Sequence, residues 1–196
     1  MEEHNESRVY EKDALEFVTV AAEYCNLLDT VGGLDRKQFF STMQQLLSLL
    51  YLKAFQIKNV EPMLDSTVEK LLSEQEWIKL KNKVSAKLGN FDIFVEVEEP
   101  DSQVEDEEVS VSLSECFTDI YQDLSDFVYL FRNGSVEIMN DALWECQNNF
   151  QQYWGSRLLI IMAAFHNIIY NTEDVGSNEF DSKPGEDTTG KNPYIW

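Results

Sequence analysis

Asp119 and Asp123, in the string Asp-Ile-Tyr-Gln-Asp, carry the spacing in this 196-residue chain that comes nearest to chemistry. On a helix they stand one turn apart, so their carboxylates can converge on one cation or ligand. Helical Mg²⁺-dependent hydrolases use such pairs but add at least two carboxylates from another helix. An ExxE pair followed by an ExxD pair would mark an all-α nucleotide pyrophosphohydrolase. Glu98-Glu99 and Glu173-Asp174 do not supply it, and the string beginning at Glu115 departs from it. The plainer reading is a solvated acidic face, or an ion pair to Arg157 or to a lysine of the middle third. An antiparallel hairpin about Asn133-Gly134 would gather six residues as a candidate ligand or partner site: Asp119, Tyr121, Asp123, Trp154, Arg157 and His166. In that hairpin Asp123 pairs with a residue near 144 and Asp119 with one near 148.

Other chemistry is thinly represented. The chain has no GxGxxG, Walker loop, GxSxG, HExxH or DxDxDG. A nucleophilic triad needs a base, and the histidines are His4 and His166. His166 sits in the apolar run LLIIMAAFHNIIY and reads as a neutral, hydrogen-bonded core residue. Cys25, Cys116 and Cys146 are far apart and fall on apolar helical stripes, which predicts reduced, buried thiols in a cytosolic protein. No cofactor and no metal site is expected.

The elements that must hold these residues are helices. Ala14, Phe17, Val18, Ala21, Cys25 and Leu28 recur in steps of three or four and predict a helix from about Arg8 to Val31, ended by a left-handed cap at Gly32-Gly33. Asp35 with Gln38 starts a second helix, whose Leu46–Leu52 stretch is apolar nearly all round and is expected at the centre of the bundle. Ser66 with Glu69 suggests a short helix over 67–72. Ser73 with Glu76 begins a helix over 74–88, with Gly89 as its cap. Lys79, Lys83 and Lys87 share one side of it, which reads as a solvated face. Alternation about Phe91–Val97 and Val109–Leu113 predicts a minor two-stranded ribbon near 91–113. Between its arms lies an acidic linker, 96–110. It lacks the glycine a calcium loop needs and reads as mobile. Ser112 with Glu115 caps a helix over 115–132. From Ser135 one stripe runs through Leu143, Cys146, Phe150, Trp154, Leu158, Ile161 and Phe165 to about Tyr170, with Gly155 as a site for a bend. Residues 1–172 thus read as one helical bundle domain and 173–196 as a disordered acidic tail.

Charge narrows the partners. There are 36 acidic and 15 basic side chains, a formal net charge of −21. Most of the excess lies beyond residue 90. A phosphate backbone or an anionic membrane would be repelled, so no nucleic acid and no membrane is expected. No apolar run approaches the ~20 residues of a membrane span. The start is acidic, without the basic and apolar regions of a signal peptide, which places the chain in the cytoplasm.

The segment from Ser112 to Leu124 (SLSECFTDIYQDL), with Trp144, Tyr153-Trp154-Gly155 and Ala163 to His166, resembles an uncharacterised family of acidic, all-helical bacterial proteins known only as a domain of unknown function. Phe94 to Val97, with the acidic stretch after it, is similar to that family's link between halves. The resemblance spans about residues 10–170 and implies a helical bundle with no established activity. Where the family commonly has an acidic pair, this chain has Glu115-Cys116. Together these readings give an all-α bundle of five to six helices. The leading function is a non-catalytic cytosolic interaction or scaffold protein, with a protein partner of basic character; a homodimer is compatible. Two alternatives stay open: a metal-dependent hydrolase using Asp119 and Asp123, and an acidic mimic of nucleic acid.

Overall fold

The computed structural model describes residues 8–57, 60–64, 71–96 and 109–171. The expected short helix at 67–72 falls largely outside them; Leu71 and Leu72, at its end, are not helical. The central part of the acidic linker and the whole tail also lie outside. Among the described residues the architecture is helical, with one small antiparallel ribbon.

Helix α1 spans Lys12–Asp29 and buries the six predicted stripe residues. It stops two residues short of Val31. The Thr30 hydroxyl donates to the Asn26 and Leu27 carbonyls, which satisfies part of the frayed end. Gly32 and Gly33 therefore provide no left-handed cap. They lie in a 3₁₀ turn, Val31–Gly33, that tucks Val31 into the core.

Helix α2 spans Arg36–Gln56, with the Asp35 carboxylate accepting from the Gln38 N–H. It is not the bundle centre. Leu47 and Leu50 are buried, Leu46 and Tyr51 are half-buried, and Leu49 and Leu52 are exposed. The reason is topological: α2 packs on α1 on one side and on the last helix on another, which leaves Leu49 and Leu52 on its outer flank exposed.

Helix α3 spans Glu74–Leu88 and begins with the predicted reciprocal capping box of Ser73 and Glu76. Gly89 ends it at φ 59°, a conformation that favours glycine. Arg36 donates to the Leu88 carbonyl and Lys87 to that of Leu34, tying the start of α2 to the end of α3. Strands β1 (Ile93–Glu96) and β2 (Val109–Ser112) then pair antiparallel, Ile93 opposite Ser112 and Glu96 opposite Val109.

Asp92 joins this ribbon to the next helix. Its carboxylate accepts from the Ser114 N–H at 2.7 Å and from the hydroxyls of Ser85 and Ser114. That helix, α4 (Leu113–Asn133), occupies the middle, packed by α1, α3 and both helices that follow. Phe117 sits in a cluster of rings with Phe39, Tyr24 and Phe165, and the buried Tyr24 hydroxyl donates to the Phe117 carbonyl at 2.9 Å. Burying such rings supplies most of the driving force, about 25 cal/mol per Å² of apolar surface.

The predicted long last helix is two helices joined without a loop. Helix α5 (Val136–Asn149) passes into a π-helical turn, Phe150–Trp154, and then into α6 (Gly155–Asn171). The Gly155 N–H donates to the carbonyl of Phe150, five residues back. A Cβ at Gly155 would lie 2.4 Å from that same oxygen and 3.0 Å from the Phe150 ring. The stripe stays continuous because Phe150 and Trp154 both remain buried, with ring centroids 4.7 Å apart.

Buried polar groups on α4 and α5 hold the irregular chain between α2 and α3. Gln147 donates to the Ile57 carbonyl and Asn140 to that of Glu61. Asp141 accepts from the N–H groups of Met63 and Leu64, and Asp126 from that of Leu71. These contacts satisfy main chain that has no ladder of its own.

Gly155→Ala should lower stability by about 1–3 kcal/mol, the usual penalty of forcing an atom into a filled site. Gly32→Ala meets nothing within 4 Å and should be neutral or raise stability by up to about 1 kcal/mol. Urea unfolding of the two variants checks the pair.

Candidate functional site

The α4–α5 hairpin forms, but its register differs from the expected one. Asp123 meets Asn149 rather than a residue near 144, with the amide donating at 3.2 Å. Asp119 meets Tyr153 rather than a residue near 148. Both pairs are displaced by five residues along α5 and the π turn.

Asp119 is the focus. The Tyr153 hydroxyl donates to Oδ2 at 2.8 Å and Arg157 Nε to the same oxygen at 3.1 Å. Trp77 Nε1 donates to Oδ1 at 3.3 Å. The Asp119 side chain is 19% exposed and that of Arg157 32%. Arg157 also lies over the Tyr153 ring, 3.7 Å from its centroid, an added attraction of a cation for a π face. Three elements thus deliver donors to one carboxylate: Trp77 from α3, Tyr153 from the π turn and Arg157 from α6. The expected ion pair from Arg157 is present. A second one joins Lys81 of the middle third to Glu115.

Beside this knot lies a hollow of about 260 Å³ lined by Asp119, Gln122, Asp123, Asn149 and Tyr153. Its wall offers carboxylate and amide oxygens, amide N–H groups and an aromatic edge. Burial and the hydrogen bond to Asp119 push the Tyr153 phenol up to about 12.

The other predicted site residues are elsewhere. The Tyr121 hydroxyl donates to Asp29 of α1 at 2.9 Å, and burial, then that bond, raises its pKa. Trp154 is fully buried in the core, its indole donating to the Cys146 carbonyl at 3.2 Å. His166 is exposed, not a core residue. It lies nine residues beyond Arg157, about 14 Å along the helix axis, with its ring 4.8 Å from that of Tyr170. The apolar run misleads there because the stripe passes through Phe165, and the next position turns outward.

Gln122, Asn149, Tyr153 and Trp77 belong to the site and are missing from the predicted set. Gln122 adjoins Asp123 in the string Asp-Ile-Tyr-Gln-Asp and shares its side of α4. Asn149 and Tyr153 depend on the hairpin offset, and Trp77 on how α3 docks.

The donor set does not fit a metal. Among the described residues no three histidine, cysteine, aspartate or glutamate side chains come together to hold one, and both Asp119 oxygens already accept hydrogen bonds. The three cysteines are free and buried; burial pushes the Cys116 thiol up to about 11 and the Cys25 thiol up to about 12. They are poor nucleophiles at neutral pH. Among the described residues, no helix is long and apolar enough to cross a membrane.

Comparison with known proteins places this geometry. The model of a family described as a domain of unknown function, DUF5063, matches residues 8–171. The crystal structure of protein BF1032 from Bacteroides fragilis, a structural-genomics target, is similar, with a TM-score of 0.75 and 34% identity over 85% of this chain and 98% of that one. None of the curated proteins matches.

The raised phenol of Tyr153 has a consequence for stability. Its folded value lies above the ~10 of an unfolded tyrosine, so its contribution is full below about pH 10. It is lost as pH rises toward 12, where the folded chain still holds a proton that the unfolded chain has released. Absorbance titration near 295 nm should show one phenolate appearing around pH 12 that is absent from Tyr153→Phe. The variant's stability should also fall less steeply across pH 10–12.

Proposed function

The chain belongs to the DUF5063 family, a domain of unknown function, and we propose that it acts as a non-catalytic cytosolic interaction protein whose α4–α5 hollow receives a cationic group of a basic protein partner. The observation that carries this reading is the lining of the hollow: Asp119, which accepts from Trp77, Tyr153 and Arg157, and Asp123, which accepts from Asn149, both line it beside Gln122, so carboxylate and amide oxygens share one wall. A guanidinium or ammonium group brings N–H donors that such a wall can accept, and hydrogen bonds to charged groups are about twice as strong as neutral ones. The formal charge of −21 favours the same partner at longer range and raises its encounter rate at low salt.

The hydrolase alternative loses support because Asp119 is already ion-paired with Arg157 and, among the described residues, no three histidine, cysteine, aspartate or glutamate side chains come together to hold a metal. Mimicry of nucleic acid needs rows of carboxylates on a rigid surface. On the described face Asp119 is paired with Arg157 and Glu115 with Lys81, which breaks up such rows.

Titration of ¹⁵N-labelled protein with arginine methyl ester tests the proposal. The side-chain amide signals of Gln122 and Asn149 should shift together and saturate, and Asp123→Asn should weaken that response at least tenfold. Rising salt should weaken it as well. Shifts spread evenly over the acidic surface and unchanged by Asp123→Asn would contradict a defined hollow.

A further inference from the structure

The ribbon has an edge that its own two strands leave unpaired. The Leu113 N–H donates to the Asp92 carbonyl at 2.7 Å, and opposite pairs alternate from there. Phe94 and Val111 exchange hydrogen bonds, while Ile93–Ser112 and Val95–Ser110 do not. The main-chain N–H and C=O groups of Ile93 and Val95 therefore point away from β2. Among the described residues no third strand takes them. The two faces of β1 differ as well. Phe94 packs against the core, whereas Ile93 is 59% exposed and Val95 39%. An open edge carrying outward β-branched residues is a template for an added strand.

We propose that residues 194–196 of this same chain, Tyr-Ile-Trp, supply that strand. It runs antiparallel to β1, with Tyr194 opposite Val95, Ile195 opposite Phe94 and Trp196 opposite Ile93. These three residues lie outside the described ones, and three observations favour them as the occupant.

The first is composition. Residues 172–187 carry six acidic side chains and one basic one, whereas residues 188–196 carry Lys191 and no acid. The second stretch can therefore approach a molecule of charge −21 without the repulsion the first would meet. It also holds Tyr194, Ile195 and Trp196 in succession, all residues that strands favour.

The second is reach. Helices α2 and α6 run antiparallel: Phe40 lies against Phe165, ring centroids 4.6 Å apart, and Tyr51 against Phe150, 5.3 Å apart. Helix α6 thus ends level with the start of α2. Phe40 also meets Phe91, at 5.9 Å, two residues before β1. Asn171 and Ile93 therefore stand at one end of the bundle, within roughly 30 Å of each other by helix and strand rise. A coil as long as the segment from Asn171 to Tyr194 has an r.m.s. span of about 26 Å. Such a tether raises the effective concentration at the edge to the millimolar range.

The third is register. Proline has no N–H and sits in a sheet only where that group would face away from the ladder. With Tyr194 opposite Val95, Pro193 falls opposite Glu96, a position that exchanges no hydrogen bond on this side of β1, so its missing donor costs nothing. In the same register Tyr194 and Trp196 stand beside Val95 and Ile93 on the outer face, aromatic against β-branched. Ile195 turns to the other face with Phe94.

Amide hydrogen exchange of the full chain, read residue by residue by NMR, tests the proposal. The Ile93 and Val95 N–H groups should exchange at least about tenfold more slowly than in Tyr194→Pro, which removes a ladder donor. The Phe94 N–H, bonded to Val111, should change far less. The helical circular dichroism should be the same in both chains, so the comparison is made on one fold. Nuclear Overhauser contacts should join the Trp196 indole to the Ile93 methyls, at every protein concentration. Ile93 and Val95 exchanging equally in the two chains would overturn the proposal. So would contacts of Trp196 to Leu46 and Leu49 instead, or protection that grows with protein concentration, which would mark the strand as coming from a second copy.

Discussion

The carboxylate of Asp119 is the point at which the second half of this protein is fixed. It sits on the central helix α4 and takes donors from α3, from the π turn and from α6. Each donor arrives from a different direction, so the relative positions of three elements are set by one short side chain. A partly buried carboxylate without these partners would carry an uncompensated desolvation cost of several kcal/mol. The network therefore constrains the π turn, the docking of α3 and the shape of the adjoining hollow together.

The π turn converts that constraint into a site. An ordinary α-helical turn at Phe150–Trp154 would advance the chain differently, and Tyr153 and Trp154 could not keep their present assignments, one to Asp119 and one to the core. Gly155 permits the turn because a side chain there would press on the Phe150 carbonyl. Local sequence, through a single glycine, thus decides whether a phenol reaches a carboxylate contributed from 34 residues earlier. Such turns are frequent at functional sites because they displace side chains from a helix without breaking it.

The sequence discloses the fold more fully than the site, for physical reasons. Helix stripes and caps are local: the Ser73–Glu76 box and the cap at Asp35 follow from neighbours in the chain, as does the alternation within each arm of the ribbon, though not its register. The pairing of Asp119 with Arg157 was legible as charge complementarity. Asn149 and Tyr153 were not, because their meeting with the aspartates depends on how α5 and the π turn are offset against α4. The exposed flank of α2 was misread for a related reason. A helix apolar all round can be buried by several neighbours or can present a face outward, and periodicity alone does not separate the two. The buried Asp126, Asn140, Asp141 and Gln147 escaped notice because polar residues on a helix read as solvent-facing until the chain they hold is in place.

Paired unfolding measurements on Asp119→Asn and Asp123→Asn test the central claim most directly. Both changes are isosteric and remove one charge. If Asp119 is the structural knot and Asp123 faces the hollow, Asp119→Asn should lose about 2–3 kcal/mol, the scale of hydrogen bonds to a charged group. It should also change the environment of Trp77, seen in its fluorescence, while Asp123→Asn, whose amide oxygen can still accept from Asn149, should lose less than about 1 kcal/mol, the scale of one neutral hydrogen bond. Equal losses, or a larger loss at Asp123, would contradict the account.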